Sequence, residues 1–263
     1  MSDPWVIYDE MIEAIPDGVT VVADAVGLRW CRILSSEDSL GVAYTLTEQS
    51  RPALNGNSTL AGTSLREAAQ LVKSWNFTEA GLGMAAINAW YSSPRRAEES
   101  HFSASSANNW GQVFHPYSEA VAGKVVSVIG HFPFAPKPLG SAAELRVLER
   151  SPRPGDFPDP ACEYLLPDSD YVFISGSAFV NKTMPRLLEL AADATTVVLG
   201  PSTPLTTKLF EHKVDVIAGF VSPTPKQLFS CLGGLSLTEM YRYGFRVEQS
   251  RDAVPTSTSP EGA

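Results

Sequence analysis

The segment DYVFISGSAFVNKTMPRLLEL, Asp170 to Leu190, decides the fold. An apolar run closes on Gly176, a short turn follows, and an apolar-periodic stretch opens at Met184 with Pro185 in its first turn, where a missing amide costs nothing. Strand, turn and helix in that order form the unit of a parallel sheet whose strands are buried on both faces. The same pattern extends outward in both directions. KVVSVIG and ELRVLER lie upstream, TTVVLGP and VDVIAGF downstream, each a short apolar run bounded by Gly, Pro or charge. MPRLLELAAD, PLTTKLFEH and TPKQLFSCL are the expected crossover helices, so the fold class is α/β over residues 111–247.

Ahead of this the periodicity changes. Residues 5–15 carry Trp5, Tyr8, Met11, Ile12 and Ile15 at helical spacing, and GVTVVADAVGLRWCRIL and VAYTL read as a three-stranded antiparallel meander, Val19–Ala23, Trp30–Leu34 and Val42–Leu46. Two helices follow: LREAAQLVKSW behind the caps Thr63 and Ser64, and TEAGLGMAAINAWYS, rich in small residues suited to close packing. Pro94 to Gly123 reads mostly as loop. The expectation is a small α+β domain over 1–110, with EQSRDAVPTSTSPEGA (248–263) as a disordered tail.

The 263 residues carry a formal charge of -9, and no Lys/Arg cluster is present, which excludes a nucleic-acid backbone or an anionic membrane surface as main partner. No apolar run approaches the ~20 residues of a spanning helix. MSDPWVIYDEMIEAI lacks the basic-then-apolar layout of a secretory signal, so a cytoplasmic location is expected. Cys31, Cys162 and Cys231 stand far apart and suggest neither a disulfide framework nor a zinc knuckle. A homo-oligomer is compatible with all of this.

Ligands of an open parallel sheet sit beyond the carboxyl ends of its strands, so the turns after the runs are the places to look. The first turn, GHFPF from Gly130, lacks the G-x-G-x-x-G of a dinucleotide site, although Glu149 follows ~20 residues on, where an acidic residue can bind ribose hydroxyls. From Gly176 the third turn reads G-x-x-x-x-N-K-T, with Asn181 where a phosphate loop needs its second glycine; no other turn offers the acidic magnesium partner. Asn181 or Thr183 could equally cap the next helix, while Lys182 suits an anion. In the fourth turn, Gly200 to Pro204, Ser202 and Thr203 are either ligand hydroxyls or caps.

His131, directly after a buried strand, can ligate metal or transfer protons; the alternative is a histidine satisfied under its loop. His101, His115 and His212 have no metal-ligand spacing to it, and His212 closes a helix. Asp159-Pro160 looks like a cap and first helical residue, which leaves Asp156, after Pro154-Gly155, free to join Glu149 and His131 or to close its own turn.

VVSVIGHFPF, LERSPRPGDFPDPACEYLLPDSDYVFISGSAFVNKTMPRLLEL and VVLGPSTPLTTKLFEHKVDVIAGFV together resemble the Rossmann-like family named for heavy-metal chelation, long classed as a domain of unknown function. The resemblance covers Val125 to Val221. GVTVVADAVGLRWCRIL, LAGTSLREAAQLVKSWN and GLGMAAINAW resemble its partner domain, similar to the N-terminal domain of enolase. The resemblance implies an interdomain cleft that binds a metal or a metal-chelating small molecule, and the positions carried over are Gly130, His131, Glu149, Pro154, Gly155, Asp156, Gly176, Ser177, Asn181, Lys182, Gly200, Pro201, Ser202 and Thr203. Asn88, a polar residue within GMAAINAW, is added as a residue that could face the cleft or bridge helices. The expected ligand is a small molecule or metal chelate with a divalent or transition metal, held by His131, Glu149 and Asp156; an enzyme acting on a nucleotide-like or adenosylmethionine-like molecule is the alternative.

Overall fold

The computed structural model describes residues 3–47, 50–53, 59–107 and 109–253. Helix α1 (Val6–Glu13) buries Ile7, Tyr8, Met11 and Ile12, the stripe its spacing predicts. The meander is β1 (Val21–Val26), β2 (Trp30–Ser35) and β3 (Leu40–Tyr44), antiparallel in the order β1-β2-β3. Next come α2 (Leu65–Ala69), α3 (Phe77–Tyr91) and α4 (Pro94–Glu99). Asn76 starts α3, its side-chain oxygen accepting from Glu79 N, and Ser93 does the same for α4 with Arg96 N.

The second sheet has eight strands: β4 (Ser103–Ala104), β5 (Val125–Ile129), β6 (Glu144–Glu149), β7 (Phe157–Pro158), β8 (Tyr171–Ser175), β9 (Thr195–Leu199), β10 (Val216–Val221) and β11 (Phe245–Ser250). Their spatial order is β4-β11-β10-β9-β8-β5-β6-β7. From β7 through β10 all pairs are parallel, and β11 runs antiparallel to both neighbours. The connections hold α5 (Cys162–Leu165), α6 (Ser177–Val180), α7 (Met184–Leu190), α8 (Pro225–Cys231) and α9 (Leu237–Met240). The chain is thus α/β, a small antiparallel sheet followed by a larger, mostly parallel one.

Alternate residues of the parallel strands enter different cores. Val172, Ile174 and Val198 face a core shared with α1, α3 and the meander, whereas Phe173, Val197 and Leu199 pack with Phe114 and Phe132 on the opposite face. The meander is itself covered twice: Cys31, Ile33 and Ala43 join the shared core, and Trp30, Leu40 and Val42 pack on Phe220, Leu228 and Met240. The amino-terminal part is therefore built into the larger sheet's surroundings on two sides.

One sequence expectation gains detail and two need correction. Residues 94–123 hold α4, β4 and two 3-10 turns, Trp110–Gln112 and His115–Tyr117, because Ser93 and Pro94 provide a helix start. PLTTKLFEH forms a 3-10 stretch over Thr207–His212 and no α-helix. The stretch read as a tail from 248 contributes Glu248–Ser250 to β11, paired with β10; residues 254–263 lie outside the described residues.

Candidate functional site

The chain leaves β5 for β6 on one side and returns to β8 on the other, so the sheet's switch point lies between the carboxyl ends of β5 and β8. A small solvent-open cleft of ≈ 60 Å³ lies there, lined among others by Gly130, Glu149, Arg150, Asp159, Ser177 and Asn181. Gly130 turns the chain off β5 at φ 109°, a conformation that L side chains resist.

That turn is held by Glu149. Its Oε2 accepts from His131 N at 2.7 Å, and its Oε1 accepts from Arg150 N at 2.7 Å and Ser151 N at 3.3 Å. His131 Nδ1 lies 2.8 Å from Asp156 Oδ2, which also accepts from Arg153 N at 2.9 Å. The Asp156 side chain is 6% exposed and that of His131 22%. A buried carboxylate at Nδ1 fixes the proton on that nitrogen and leaves the lone pair on Nε2, which has no partner among the described residues. The sequence grouped His131, Glu149 and Asp156 as metal ligands. Hydrogen bonds do bring the three together, but no group of three His, Cys, Asp or Glu side chains among the described residues is arranged to hold a metal ion. Both oxygens of Glu149 are taken by backbone amides, and Asp156 Oδ2 by the imidazole and an amide; Asp156 Oδ1 has no hydrogen bond but belongs to a side chain only 6% exposed, so the most accessible donor for a metal is His131 Nε2. That fits a metal arriving with ligands of its own.

On the β8 side, Ser175 Oγ and Ser177 Oγ share a 2.9 Å hydrogen bond. Asn181 Oδ1 accepts from Thr183 N at 3.1 Å and Thr183 Oγ1 at 2.7 Å, which leaves its Nδ2 without a partner among the described residues. The phosphate-loop resemblance does not survive: α6 starts directly after Gly176, and Asn181 N already donates to Ser177 O within it.

Lys182, expected to receive anionic groups, points elsewhere. It takes a left-handed backbone, φ 64°, and its ammonium donates to the carbonyls of Ser74 and Val180 while lying 5.5 Å from the ring centres of both Trp75 and Phe77. Burial pushes its pKa down to about 8. It docks the two parts of the chain. The cation that does line the cleft is Arg150, which the sequence reading passed over although it follows Glu149 at the end of β6.

The fourth turn is likewise committed to docking. Tyr44 N donates to Ser202 Oγ at 2.8 Å, and Asn88 Nδ2 donates to Val42 O at 2.8 Å and Ser202 O at 3.1 Å. Asn88 and Thr203 are fully buried. A Cβ on Gly176 would meet Thr203 N at 2.6 Å, so this glycine lets the β8 and β9 turns touch. Gly200 takes φ 109° to enter that turn. His212 Nε2 bonds Glu10 Oε2 at 2.8 Å, and no histidine is part of the cleft lining; His131 stands next to it, directly after Gly130.

Fold and site define a Rossmann-like α/β protein whose sheet is capped by a small α+β part, with a polar cleft at the switch point. Two family models match it, DUF364 over residues 113–245 and DUF4213 over residues 8–91, both described as "Putative heavy-metal chelation"; the chain belongs to the DUF364 family. It is similar to a crystal structure of a DUF364 protein of unknown function from Desulfitobacterium hafniense DCB-2, with TM-score 0.84 and 39% identity over 94% of this chain and 98% of that one. A second DUF364 structure of unknown function, from Pyrococcus horikoshii, shares the fold at TM-score 0.76 and 24% identity, covering 93% and 98%. An uncharacterized protein of Methanocaldococcus jannaschii is 28% identical over 186 residues, 67% of each chain. Among the described residues no helix is long and apolar enough to cross a membrane.

Proposed function

We propose that the cleft binds a small molecule carrying a metal ion, with His131 as the protein's ligand to that metal. The observation that carries this reading is the His131–Asp156 pair: a carboxylate at 2.8 Å orients the ring and leaves Nε2 without a hydrogen-bond partner among the described residues, directly after Gly130 of the cleft wall. A single imidazole grips a bare ion poorly, so the cargo is a complex with coordination positions to spare. The hydroxyls of Ser175 and Ser177 and the amide of Asn181 hold the organic part. The family description is in keeping with this role.

The alternative, an enzyme acting on a nucleoside-like molecule, leans on Glu149 as ribose partner. Both Glu149 oxygens already accept backbone amides, so no observation favours that alternative.

Untagged protein titrated with nickel(II) nitrilotriacetate, which leaves two adjacent positions open, tests the proposal. Stoichiometric binding is expected, and His131→Ala should abolish it. Equal binding by wild type and variant refutes the assignment.

A further inference from the structure

The cleft wall holds unspent donors as well as one unspent carboxylate oxygen, Asp159 Oδ1. Glu149 is consumed by three amides, and Asp159 Oδ2, at 3.3 Å, is the one hydrogen-bond acceptor that the Arg150 side chain finds among the described residues. That bond uses Nη2 alone and leaves Nε and Nη1 without acceptors. The pair is part-exposed, 27% for Arg150 and 38% for Asp159, a setting in which an ion pair holds its partners weakly. Asn181 Nδ2 adds another unspent donor across the cleft. Phe77 lies under the guanidinium, 5.8 Å from ring centre to carbon, and limits where it can swing. Lys182, the other nearby cation, is closed off by its two carbonyls.

A planar fork with two free N–H groups, steadied by an aromatic face, matches a carboxylate far better than it matches a neutral or cationic group. We propose that Arg150 is the specificity residue of the cleft, reading a carboxylate of the bound chelator, so that the site takes metal as an anionic carboxylate complex. This rests on the assignment of His131 as metal ligand.

Two nickel(II) complexes separate the claims. Nitrilotriacetate gives a monoanionic complex with three carboxylates, and tris(2-aminoethyl)amine gives a dication with none; each leaves two adjacent positions for His131. Calorimetry on untagged wild type should show the carboxylate complex bound about tenfold tighter or more, the usual worth of a charge-assisted hydrogen bond. Arg150→Gln should erase that preference while keeping binding of the amine complex, and Arg150→Lys should retain part of it; thermal melts establish that both variants fold. Equal binding of both complexes by wild type, with His131→Ala abolishing each, overturns the role of Arg150 and leaves the metal site standing. Loss of both complexes in folded Arg150→Gln also overturns it, since the residue would then shape the cleft without reading charge. Indifference of both complexes to His131→Ala removes the metal site and this inference with it.

Discussion

Replacing Asp156 by Asn isolates the electrostatic work of the dyad. Both of its hydrogen bonds, from His131 Nδ1 and Arg153 N, fall on the same oxygen, Oδ2, so an asparagine carbonyl placed there keeps both, removes the charge and puts an NH2 where the unbonded Oδ1 stood. With the carboxylate 2.8 Å from Nδ1 and the ring's width beyond, the charge sits roughly 5 Å from Nε2. A metal on Nε2 stands about 2 Å farther out, roughly 7 Å from that charge, where at an effective dielectric of about 20 a unit charge is worth about 2.4 kcal/mol to a unit positive charge. His131 is one-fifth exposed, and solvent screening trims this to about 1.5–2 kcal/mol, or roughly a 10–30-fold loss of affinity. That range agrees with the ~10–100-fold cost of removing outer partners of metal-bound histidines. Calorimetric titration of nickel(II) nitrilotriacetate into Asp156→Asn and wild type, with melts showing near-equal stability, measures it. Unchanged affinity in a variant series where His131→Ala still abolishes binding would refute the reasoning, because the imidazole would then be acting without its carboxylate.

Asn88→Ala should destabilise the fold by about 2–3 kcal/mol, since it leaves the buried carbonyls of Val42 and Ser202 without their donor and opens a small void; denaturant melts that match wild type would contradict the docking role. Gly176→Ala should cost about 1–3 kcal/mol by forcing the β8 and β9 turns apart, and Thr203→Ala should not rescue it, because the nearest obstacle is the backbone nitrogen of Thr203. Lys182 gives a pH signature. Its folded pKa of about 8 lies below the ordinary 10.5, so between these values the unfolded chain binds more protons and stability rises with pH. Below about pH 8 both states are protonated and the desolvation cost is felt in full. Allowing for its partial exposure, the gain is about 1 kcal/mol, and Lys182→Met should lack it; parallel melting curves of the two proteins from pH 8 to 10.5 would contradict the assignment.

Most of the larger sheet is legible in the chain. Strands β5, β8, β9 and β10 are buried on both faces and therefore read as near-continuous apolar runs ending in Gly, Pro or charge, while β6 buries only the face of Arg146 and Leu148 and reads as an alternation. Strand β11 hides because its buried positions include Arg246 and Gln249, which break the apolar pattern, and its pairing with β10 is set by tertiary contact. The meander and α3 are legible for the same local reason as the sheet, namely alternation and helical spacing. At the site, the value of a histidine after a buried strand can be read from local order alone. Its tie to Asp156 depends on the path of the turn around Pro154-Gly155, which local sequence does not encode. The misreading of Lys182 has a similar root. Lysine and threonine behind a small-residue turn look like an anion site, yet Ser74, Trp75 and Phe77, which claim the ammonium, lie more than a hundred residues upstream and meet it only in the folded chain.

The most direct test of the central claim is pulsed electron paramagnetic resonance on untagged protein loaded with copper(II) iminodiacetate, which leaves one strong equatorial position. Binding through His131 predicts modulation from the remote nitrogen of a single imidazole, present in wild type and lost in His131→Ala. A spectrum without imidazole coupling, or one that His131→Ala leaves unchanged, would contradict the metal role assigned to this cleft.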